Sequence, residues 1–345
     1  MIELWKLLSL VSPGFLLVAF LVGCGSVVHP AAIREPRLRV LGTVQDGGLP
    51  HAGCWCEHCE KARHDAKSRR YVASAAILLP GEAGRQRVYL IDVSPDIREQ
   101  FQLLSDVREA SSTTAGRDLI DGVFLTHAHI GHYLGLAFFG FEAMNTKDLP
   151  VYCTPRLAEF LRTNGPWSQL VRRENIRLQE AAPGTPVALP FDGGRDHVSV
   201  KPIQVPHRDE YSDTVGYVIR RARAPDQPAT REGHAVFYVP DTEPWRNWTP
   251  SLVEVIEQES VDILLVDGTF YSNDELPGRG VASIGHPLMR DSMDLLEPLA
   301  RSRRLEVYFT HLNHSNPVLD TAGAVAREVT SRGFHVAKEG LELPL

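Results

Sequence analysis

Short apolar runs separated by polar segments recur along the chain from residue 38 onward, and many are rich in β-branched and aromatic residues. Such runs predict strands at 38–42, 75–79, 88–91, 122–125, 198–205, 215–219, 235–239, 263–266 and 305–309. Apolar residues at helical spacing, several with proline near the first turn, predict helices at 56–67, 95–104, 155–161, 288–299 and 319–330. Loops are predicted at 111–118, 183–196 and 223–233.

Strands dominate this pattern, and the helices are interspersed rather than strictly alternating with them. The pattern favours an α/β fold of two sheets packed face to face with helices outside, rather than one doubly wound parallel sheet. The chain has 345 residues, 43% of them hydrophobic, which suffices for one domain at 37–345. A net charge of −7 gives no support to a nucleic-acid surface, so no nucleic-acid partner is expected.

The first 36 residues form a separate unit. Lys6 precedes an apolar run at 7–22, which is short for a bilayer span and ends in small residues before Cys24. This arrangement predicts a secretory signal peptide at 1–23, with an uncleaved signal anchor as the alternative. The order Leu-Val-Gly-Cys also resembles the bacterial lipobox. That resemblance implies lipidation of Cys24, a tether at 24–36, and an exported lipoprotein anchored to the membrane on the periplasmic side.

A group of histidines follows the predicted strand at 122–125. Residues 126–132 read Thr-His-Ala-His-Ile-Gly-His, which places His127, His129 and His132 within six positions. Neutral imidazoles that converge at a strand end form a divalent-metal site. The alternative is three unrelated histidines.

Three more ligand-type residues follow apolar strands: His207, Asp241 and His311. Strand ends that meet at one sheet edge can hold Zn²⁺ or a similar ion and leave a position open for water. Taken singly, each of these residues could be a surface histidine or a helix-capping aspartate. Together with the histidine group, they favour one metal site.

A second candidate metal site lies near the start of the domain. Cys54, Cys56 and Cys59 are three of the five cysteines in the chain, and their spacing suits a soft cation with a fourth ligand from elsewhere. In an exported protein, the alternative is a disulfide with one cysteine left over. Cys153 is expected to be a buried apolar residue without a chemical role.

On these residues the chain, over most of 38–335, resembles hydrolases of the metallo-β-lactamase superfamily. The signature His-x-His-x-Asp-His, then a lone His, a bridging Asp and a final His, falls on His127, His129, Gly131, His132, His207, Asp241 and His311. The resemblance implies an αββα sandwich with the metal site along its upper edge. It also implies that Asp92, at an early strand end, orders the metal loop.

Two branches of that superfamily are closest. Leu41-Gly42, the Gly-Gly-Leu-Pro at 47–50 and the Cys-x-Cys-x-x-Cys element are similar to the opening of pyrroloquinoline-quinone synthesis protein B. The cysteine element also resembles the zinc knuckle of phosphonate-operon cyclic phosphodiesterases, whose fourth ligand is a His three residues after the last active-site His. The resemblance therefore implies one structural zinc on Cys54, Cys56, Cys59 and His314.

Phosphodiesterases of the superfamily also place a His comparably to His286, where it contacts the phosphate or protonates the leaving group. His286 is expected to open a helix, whose N-terminus favours an anion, with a simple capping role as the alternative.

Gly131 departs from the signature, because it offers no carboxylate. On the family template the first position is complete, with His127, His129 and His207, while the second keeps only His132, His311 and the bridging Asp241. Three outcomes are open: a single active-site metal, a substitute carboxylate such as Asp209 or Glu210, or water in the vacancy. At least one active-site metal is expected besides the structural zinc, with Zn²⁺ favoured and Mn²⁺ or Fe²⁺ as alternatives.

The implied reaction is metal-assisted hydrolysis of a phosphodiester or related ester in a small-molecule substrate, with Asp241 and His286 as catalytic residues. Resemblance to the quinone-synthesis branch implies instead an oxidative role in pyrroloquinoline quinone biosynthesis. A second alternative is a non-catalytic, metal-stabilised binding domain. A homodimer is left open.

Overall fold

The computed structural model describes residues 35–81, 86–107, 119–191, 196–223, 233–276 and 284–345. The expected signal peptide and Cys24 lie outside these residues, as do most of the predicted loops at 111–118 and 223–233. Among the described residues, no helix is both long and apolar enough to cross a membrane.

Within the part of the chain that the structure describes, fourteen strands form two seven-stranded sheets. The first contains β1 (Arg37–Gly42), β2 (Ser74–Leu79), β3 (Arg87–Ile91), β4 (Gly122–Phe124), β5 (Leu149–Cys153), β6 (Ile176–Glu180) and β14 (Glu342–Pro344), in the order β14-β1-β2-β3-β4-β5-β6. The second contains β7 (Val187–Phe191), β8 (Asp196–Gln204), β9 (Val215–Arg223), β10 (Ala235–Val239), β11 (Ile263–Asp267), β12 (Glu306–Thr310) and β13 (His335–Val336), in the order β13-β12-β11-β10-β9-β8-β7.

The described α-helices are α1 (Glu57–His64), α2 (Ile97–Gln102), α3 (Ile130–Tyr133), α4 (Pro155–Thr163), α5 (Trp167–Arg172), α6 (Leu252–Gln258), α7 (Met289–Arg301) and α8 (Ala324–Ser331). Proline begins α4, where its missing N–H costs no helical hydrogen bond, and Thr154 caps the helix by accepting from Leu157 N.

Both faces of the central strands are buried, which explains their continuous apolar runs. In β2, Ala75 and Ile77 point between the two sheets, while Ala76 and Leu78 face the layer that contains α2, α4 and α5. The second sheet packs its outer face against α6, α7 and α8 in the same way. Each buried Leu or Ile contributes about 1.5–3 kcal/mol relative to an exposed position. The layers are therefore helix, sheet, sheet, helix.

Strand direction brings the ligand-type residues to one edge. β3 and β4 are parallel, and so are β10, β11 and β12. β8 runs in the same direction as β10, because both are antiparallel to β9. The residues that follow these strands therefore lie along a common edge of the sandwich.

Several sequence predictions of secondary structure are wrong in detail. The predicted loop at 183–196 contains β7, and the predicted helix at 56–67 ends at His64, followed by a 3-10 turn at Ala66–Ser68. The predicted helix at 319–330 begins only at Ala324, whereas the helix predicted at 288–299 begins at Met289, so His286 lies before it rather than opening it. The last difference changes the position of His286, as described below.

Candidate metal centre

The strand ends assemble one buried cluster of imidazoles and carboxylates. His127, His129 and His132 follow β4, His207 follows β8, Asp241 follows β10, and His311 follows β12. Asp267 is the last residue of β11, and His286 lies just before α7. The structure thus brings together every active-site residue that the sequence singled out.

The first group of ligands is His127, His129, His207 and Asp241, whose ligand atoms all lie within 4.8 Å of one another. Asp241 Oδ2 lies 3.3 Å from His127 Nε2 and 3.2 Å from His207 Nε2. His129 Nδ1 lies 3.9 Å from the same oxygen. Three imidazoles and one carboxylate oxygen around one point are a donor set that Zn²⁺ and similar ions accept.

A second group shares Asp241 with the first. Asp241, Asp267, His286 and His311 also place their ligand atoms within 4.8 Å of one another. His286 Nδ1 lies 2.8 Å from Asp267 Oδ2 and 3.3 Å from Asp241 Oδ1. His132 Nε2 approaches Asp241 Oδ2 at 3.8 Å, and His311 Nε2 approaches it at 3.7 Å. Asp241 is therefore shared by two neighbouring groups of possible metal ligands.

Partners on the far nitrogens orient the rings. Asp92 accepts hydrogen bonds from the backbone N–H and hydroxyl of Thr126, and its Oδ2 lies 2.7 Å from His132 Nδ1. Thr126 Oγ1 lies 2.9 Å from His127 Nδ1, and Thr269 Oγ1 lies 2.9 Å from His311 Nδ1. These contacts leave the Nε2 atoms of His127, His132 and His311 to face Asp241. Asp92 thus contacts the metal loop as the resemblance implies.

Two residues of the site have an unusual backbone. Asp92 has φ 62° and His311 has φ 58°, in the left-handed region that non-glycine residues rarely adopt. Each such residue costs about 1–2 kcal/mol. Both lie directly after a strand, at the point where the chain must turn a side chain into the cluster.

Burial and mutual charge set the protonation states. Burial lowers the pKa of His127 and of His311, which favours the neutral imidazole that binds metals. Burial opposes ionisation of Asp241, but the surrounding His207, His311 and His286 hold its pKa well below the usual value.

The pKa values of His132 and His286 are raised, in contrast to those of His127 and His311. Burial opposes their charge, but Asp92 raises the pKa of His132 to about 9, and Asp267 and Asp241 raise that of His286 to about 9. Without a cation in the centre, protons on these two rings therefore balance part of the carboxylate charge.

The residues present fit a divalent metal. Among the described residues, His132 Nε2, His311 Nε2 and Asp241 Oδ1 are buried side-chain atoms with no hydrogen-bond partner. Buried polar atoms without partners are costly, and a cation would satisfy all three. This observation, together with the donor set, supports a metal at the shared carboxylate.

The three cysteines and His314 form a separate cluster. Their ligand atoms lie within 4.8 Å of one another, and His314 Nδ1 is 3.4 Å from Cys54 Sγ and 3.5 Å from Cys56 Sγ. The backbone N–H of His51 donates to Cys59 Sγ at 3.3 Å. This is a closed set of soft ligands, as a structural zinc site requires. Cys153 is fully buried, as expected.

The sequence left Asp209 and Glu210 as possible sources of the carboxylate that Gly131 lacks, but the structure brings a different carboxylate to Gly131. Glu210 Oε2 lies 3.0 Å from His129 Nε2, in the first group, and Asp209 accepts a hydrogen bond from Thr214. The carboxylate that reaches Gly131 is Asp46, whose Oδ1 accepts from the backbone N–H of Gly131 at 2.7 Å. Of the open outcomes, a substitute carboxylate from Asp209 or Glu210 is therefore not what the structure places at Gly131.

His286 is not at a helix N-terminus, which corrects a second expectation. Leu288 is the N-cap of α7, and Asp267 rather than the helix holds the imidazole. The anion-binding argument from a helix dipole therefore does not apply to this residue.

Sequence reasoning missed Asp46 and Asp267 as members of the site. Asp267 ends an apolar strand in the same way as Asp241, so the rule that selected Asp241 could also have selected it. Asp46 lies four residues after β1, at the start of a turn, and only the tertiary structure brings it beside α3.

Comparison with known proteins agrees with the fold. The chain matches the family described as the β-lactamase superfamily domain over residues 87–312. The chain belongs to this superfamily, and its two sheets with outer helices confirm the expected αββα sandwich.

Within the superfamily, the chain is similar to coenzyme PQQ synthesis protein B. It is 27% identical to that protein from Methylococcus capsulatus, over 89% of this chain and 99% of the relative. It is also 27% identical to the Cupriavidus necator protein, with the same shares.

Two solved structures share the fold. Zn(2+)-bound PqqB from Methylobacterium extorquens matches with a TM-score of 0.68 at 23% identity, covering 90% of this chain and 100% of that one. A diphosphatase from the PhnP family matches with a TM-score of 0.57 at 20% identity, covering 90% and 97%. At these identities the likeness is one of fold.

Proposed function

We propose that this protein is a metal-dependent hydrolase that acts on a phosphodiester or a related ester. The observation that carries the proposal is the position of Asp241, whose Oδ2 faces ring nitrogens of His127, His129 and His207 and also those of His132 and His311. Adjacent metal positions suit phosphoryl transfer because they neutralise charge on both the attacking and the leaving oxygen. The diphosphatase of the PhnP family among the structural neighbours is consistent with this reaction class.

We assign the active site one or two divalent ions, with Zn²⁺ favoured and Mn²⁺ or Fe²⁺ as alternatives. His127, His129, His207 and Asp241 would hold the first, and Asp241, His132 and His311 would contribute to the second. When bound, such an ion lowers the pKa of a coordinated water toward about 7 and polarises an ester oxygen. We also assign one structural zinc to the cysteine cluster.

The residues themselves have two roles in the proposed reaction. Asp241, buried and ionised, accepts a hydrogen bond from the attacking water and orients it. His286 is held through Nδ1 by Asp267, which leaves Nε2 to donate a proton to the leaving oxygen. Asp267 acts on the reaction by positioning this ring.

The substrate's negative charge has a candidate partner at the entrance. Arg208 is exposed, lies next to the ligand His207, and is close enough to His286 to oppose the protonation of that ring. A guanidinium binds phosphate oxygens in a fixed fork geometry. We therefore propose that Arg208 contributes to substrate binding.

Hydrolysis of bis(p-nitrophenyl) phosphate by purified protein with Zn²⁺ or Mn²⁺ added tests the proposal. We expect turnover that Asp241→Asn abolishes and that His286→Ala reduces by about 100-fold or more. His234→Asn is the matched control, because this exposed histidine precedes β10 at the opposite sheet edge. Equal turnover in the wild type and Asp241→Asn would assign the signal to a contaminant.

The second candidate function is an oxidative role like that of the PQQ synthesis proteins. Similarity over 99% of the length of those relatives favours it. Full metal loading with no turnover of phosphodiesters, phosphomonoesters or carboxylic esters would favour this role, or a non-catalytic binding domain, over hydrolysis. Metal-dependent consumption of O₂ with a tyrosine-derived quinone precursor would then distinguish the oxidative role from simple binding.

A further inference from the structure

The loop after β1 brings a carboxylate to the position that Gly131 leaves without one. Asp46 Oδ1 accepts the hydrogen bond from the Gly131 N–H at 2.7 Å. A Cβ atom on Gly131 would lie 2.4 Å from that oxygen and 3.0 Å from both Cα and Cγ of Asp46. Gly131 does not have a left-handed backbone, so the occupied space is what excludes a side chain there.

Asp46 is close enough to His132, His311 and Asp241 for their charges to shift the pKa of its carboxyl group. Burial disfavours its ionisation, but His132 and His311 favour it, and Asp241 is close enough to oppose it. His132 and His311 are the residues whose buried Nε2 atoms have no hydrogen-bond partner among the described residues.

We propose that Asp46 supplies the carboxylate ligand of the second metal position, in place of a side chain at residue 131. An anionic oxygen joins His132, His311 and the shared Asp241, and the position again has a donor set for a divalent ion. The inference rests on the two-position metal centre of the proposed function, but it does not depend on the substrate.

A purely structural role for Asp46 is the competing explanation. In that role it would only fasten the loop to α3 through the Gly131 N–H. The loop already has other attachments, because Gln45 N donates to Leu312 O at 3.1 Å and Gln45 Nε2 donates to Asn313 Oδ1 at 2.8 Å. These contacts keep the loop near the site without the carboxylate, which makes the two roles separable by mutation.

Asp46→Asn separates the two roles, because an Asn oxygen still accepts the Gly131 N–H but carries no charge. Metal content and Mn²⁺ titration of the full protein are the readouts. In the wild type we expect two active-site equivalents and an electron paramagnetic resonance spectrum of a spin-coupled Mn²⁺ pair. In Asp46→Asn we expect the second equivalent to bind at least about tenfold more weakly, with an uncoupled Mn²⁺ spectrum. Asp209→Asn is the control and should leave both equivalents unchanged.

A double substitution tests the placement directly. Gly131→Asp alone should lose the second equivalent, because its side chain overlaps Asp46, whereas Asp46→Ala with Gly131→Asp should regain it. The inference is overturned if Asp46→Asn retains both equivalents with wild-type affinity, or if the wild type binds a single active-site equivalent at saturating metal. Dependence of the second equivalent on Asp46 in a protein without phosphodiesterase activity would support this inference and contradict the proposed function.

Discussion

Several histidine rings in this site have two side-chain partners. One partner contacts the first ring nitrogen and fixes the ring, and the other faces the second nitrogen. His132 is the clearest case, since its Nδ1 contacts Asp92 at 2.7 Å and its Nε2 faces Asp241. A carboxylate behind a metal-binding histidine fixes the ring orientation and raises the basicity of the ligand. It also stabilises a proton on the ring when the metal is absent.

The first prediction concerns this proton. The pKa of His132 is about 9 without metal, so the ring is an imidazolium at pH 7 and metal must displace its Nε2 proton. Metal binding at pH 7 should therefore release about one proton from this ring, and affinity should rise about tenfold per pH unit toward pH 9. Asp92→Asn lowers the pKa of His132 and should reduce the release.

Calorimetric titration at pH 7 in two buffers of different ionisation enthalpy measures the number of protons released. His234→Asn should match the wild type, since this exposed ring lies away from the site. Identical release in Asp92→Asn and the wild type would contradict this account of His132.

Most residues of the site, but not all of them, could be identified from the sequence. His127, His129, His132, His207, Asp241 and His311 were selected because each follows a strand, and strand direction brings them together. Asp46 was not selected, because its role depends on the fold of a loop and on the absence of a side chain at Gly131. Spacing along the chain carries no information about that contact.

The element that links the two metal clusters is the loop between β1 and α1. Its start contacts α3 through Asp46, and its end carries Cys54 and Cys56 toward His314. His314 lies three residues after His311, so the cysteine cluster ties the loop to the turn that bears an active-site ligand. Loss of zinc from this cluster should therefore release the loop.

The second prediction is that Cys56→Ser removes one zinc equivalent and exposes the loop to proteolysis. A zinc present at about 1,000 times its Kd stabilises the native state by about 4 kcal/mol, so the variant should unfold at a lower temperature. Cys153→Ala, in a fully buried position of β5, should keep all zinc. Zero metal in Cys56→Ser, after one equivalent in the wild type, would contradict an active-site metal.

At the element scale, continuous apolar runs made strands predictable, whereas β5, β6, β7, β13 and β14 were not predicted. β5 lies inside its sheet, but its buried positions alternate with partly exposed ones and it contains Pro150. β2, β10 and β11 are buried on both faces and were predicted to within about one residue, because continuous apolar runs mark them. β7 was missed because it is an edge strand with exposed alternate positions and a proline, Pro190. β14 has three residues, too few for a periodic signal.

At the scale of the whole molecule, the two sheets are joined directly behind the metal centre. Tyr217 on β9 donates its hydroxyl to Leu125 O at 2.6 Å, and Val215 N donates to Thr126 O at 3.1 Å. Both acceptors immediately precede His127. The second sheet therefore fixes the position of a loop that the first sheet carries.

The third prediction follows from the hydroxyl of Tyr217. Tyr217→Phe leaves a buried carbonyl without that partner and should lower the free energy of unfolding by about 1–3 kcal/mol, measured by urea denaturation. Tyr238→Phe is a matched control in the same core, because the Tyr238 hydroxyl is buried with no hydrogen-bond partner among the described residues. A loss in Tyr238→Phe equal to that in Tyr217→Phe would contradict a specific role for the link.

The first strand of the domain begins far from the metal centre, which matters for the proposed membrane anchor. β1 runs in the same direction as β3, because both are antiparallel to β2. Arg37, at the start of β1, therefore lies at the edge opposite the metal centre. A lipid on Cys24 would therefore be connected to the domain at the edge opposite the metal centre.

The fourth prediction is that the full-length protein, expressed in a Gram-negative bacterium, is recovered in the membrane fraction and carries fatty acid on Cys24. Cys24→Ser should abolish labelling with radioactive palmitate and move the protein to the soluble periplasmic fraction, since lipid chains supply the membrane affinity. Retention of Cys24→Ser in membranes would favour the uncleaved signal anchor. Wild-type protein that is unlabelled and cytoplasmic would contradict export. Because the tether leaves from the far edge, the anchored and the released forms should hydrolyse a soluble phosphodiester at equal rates.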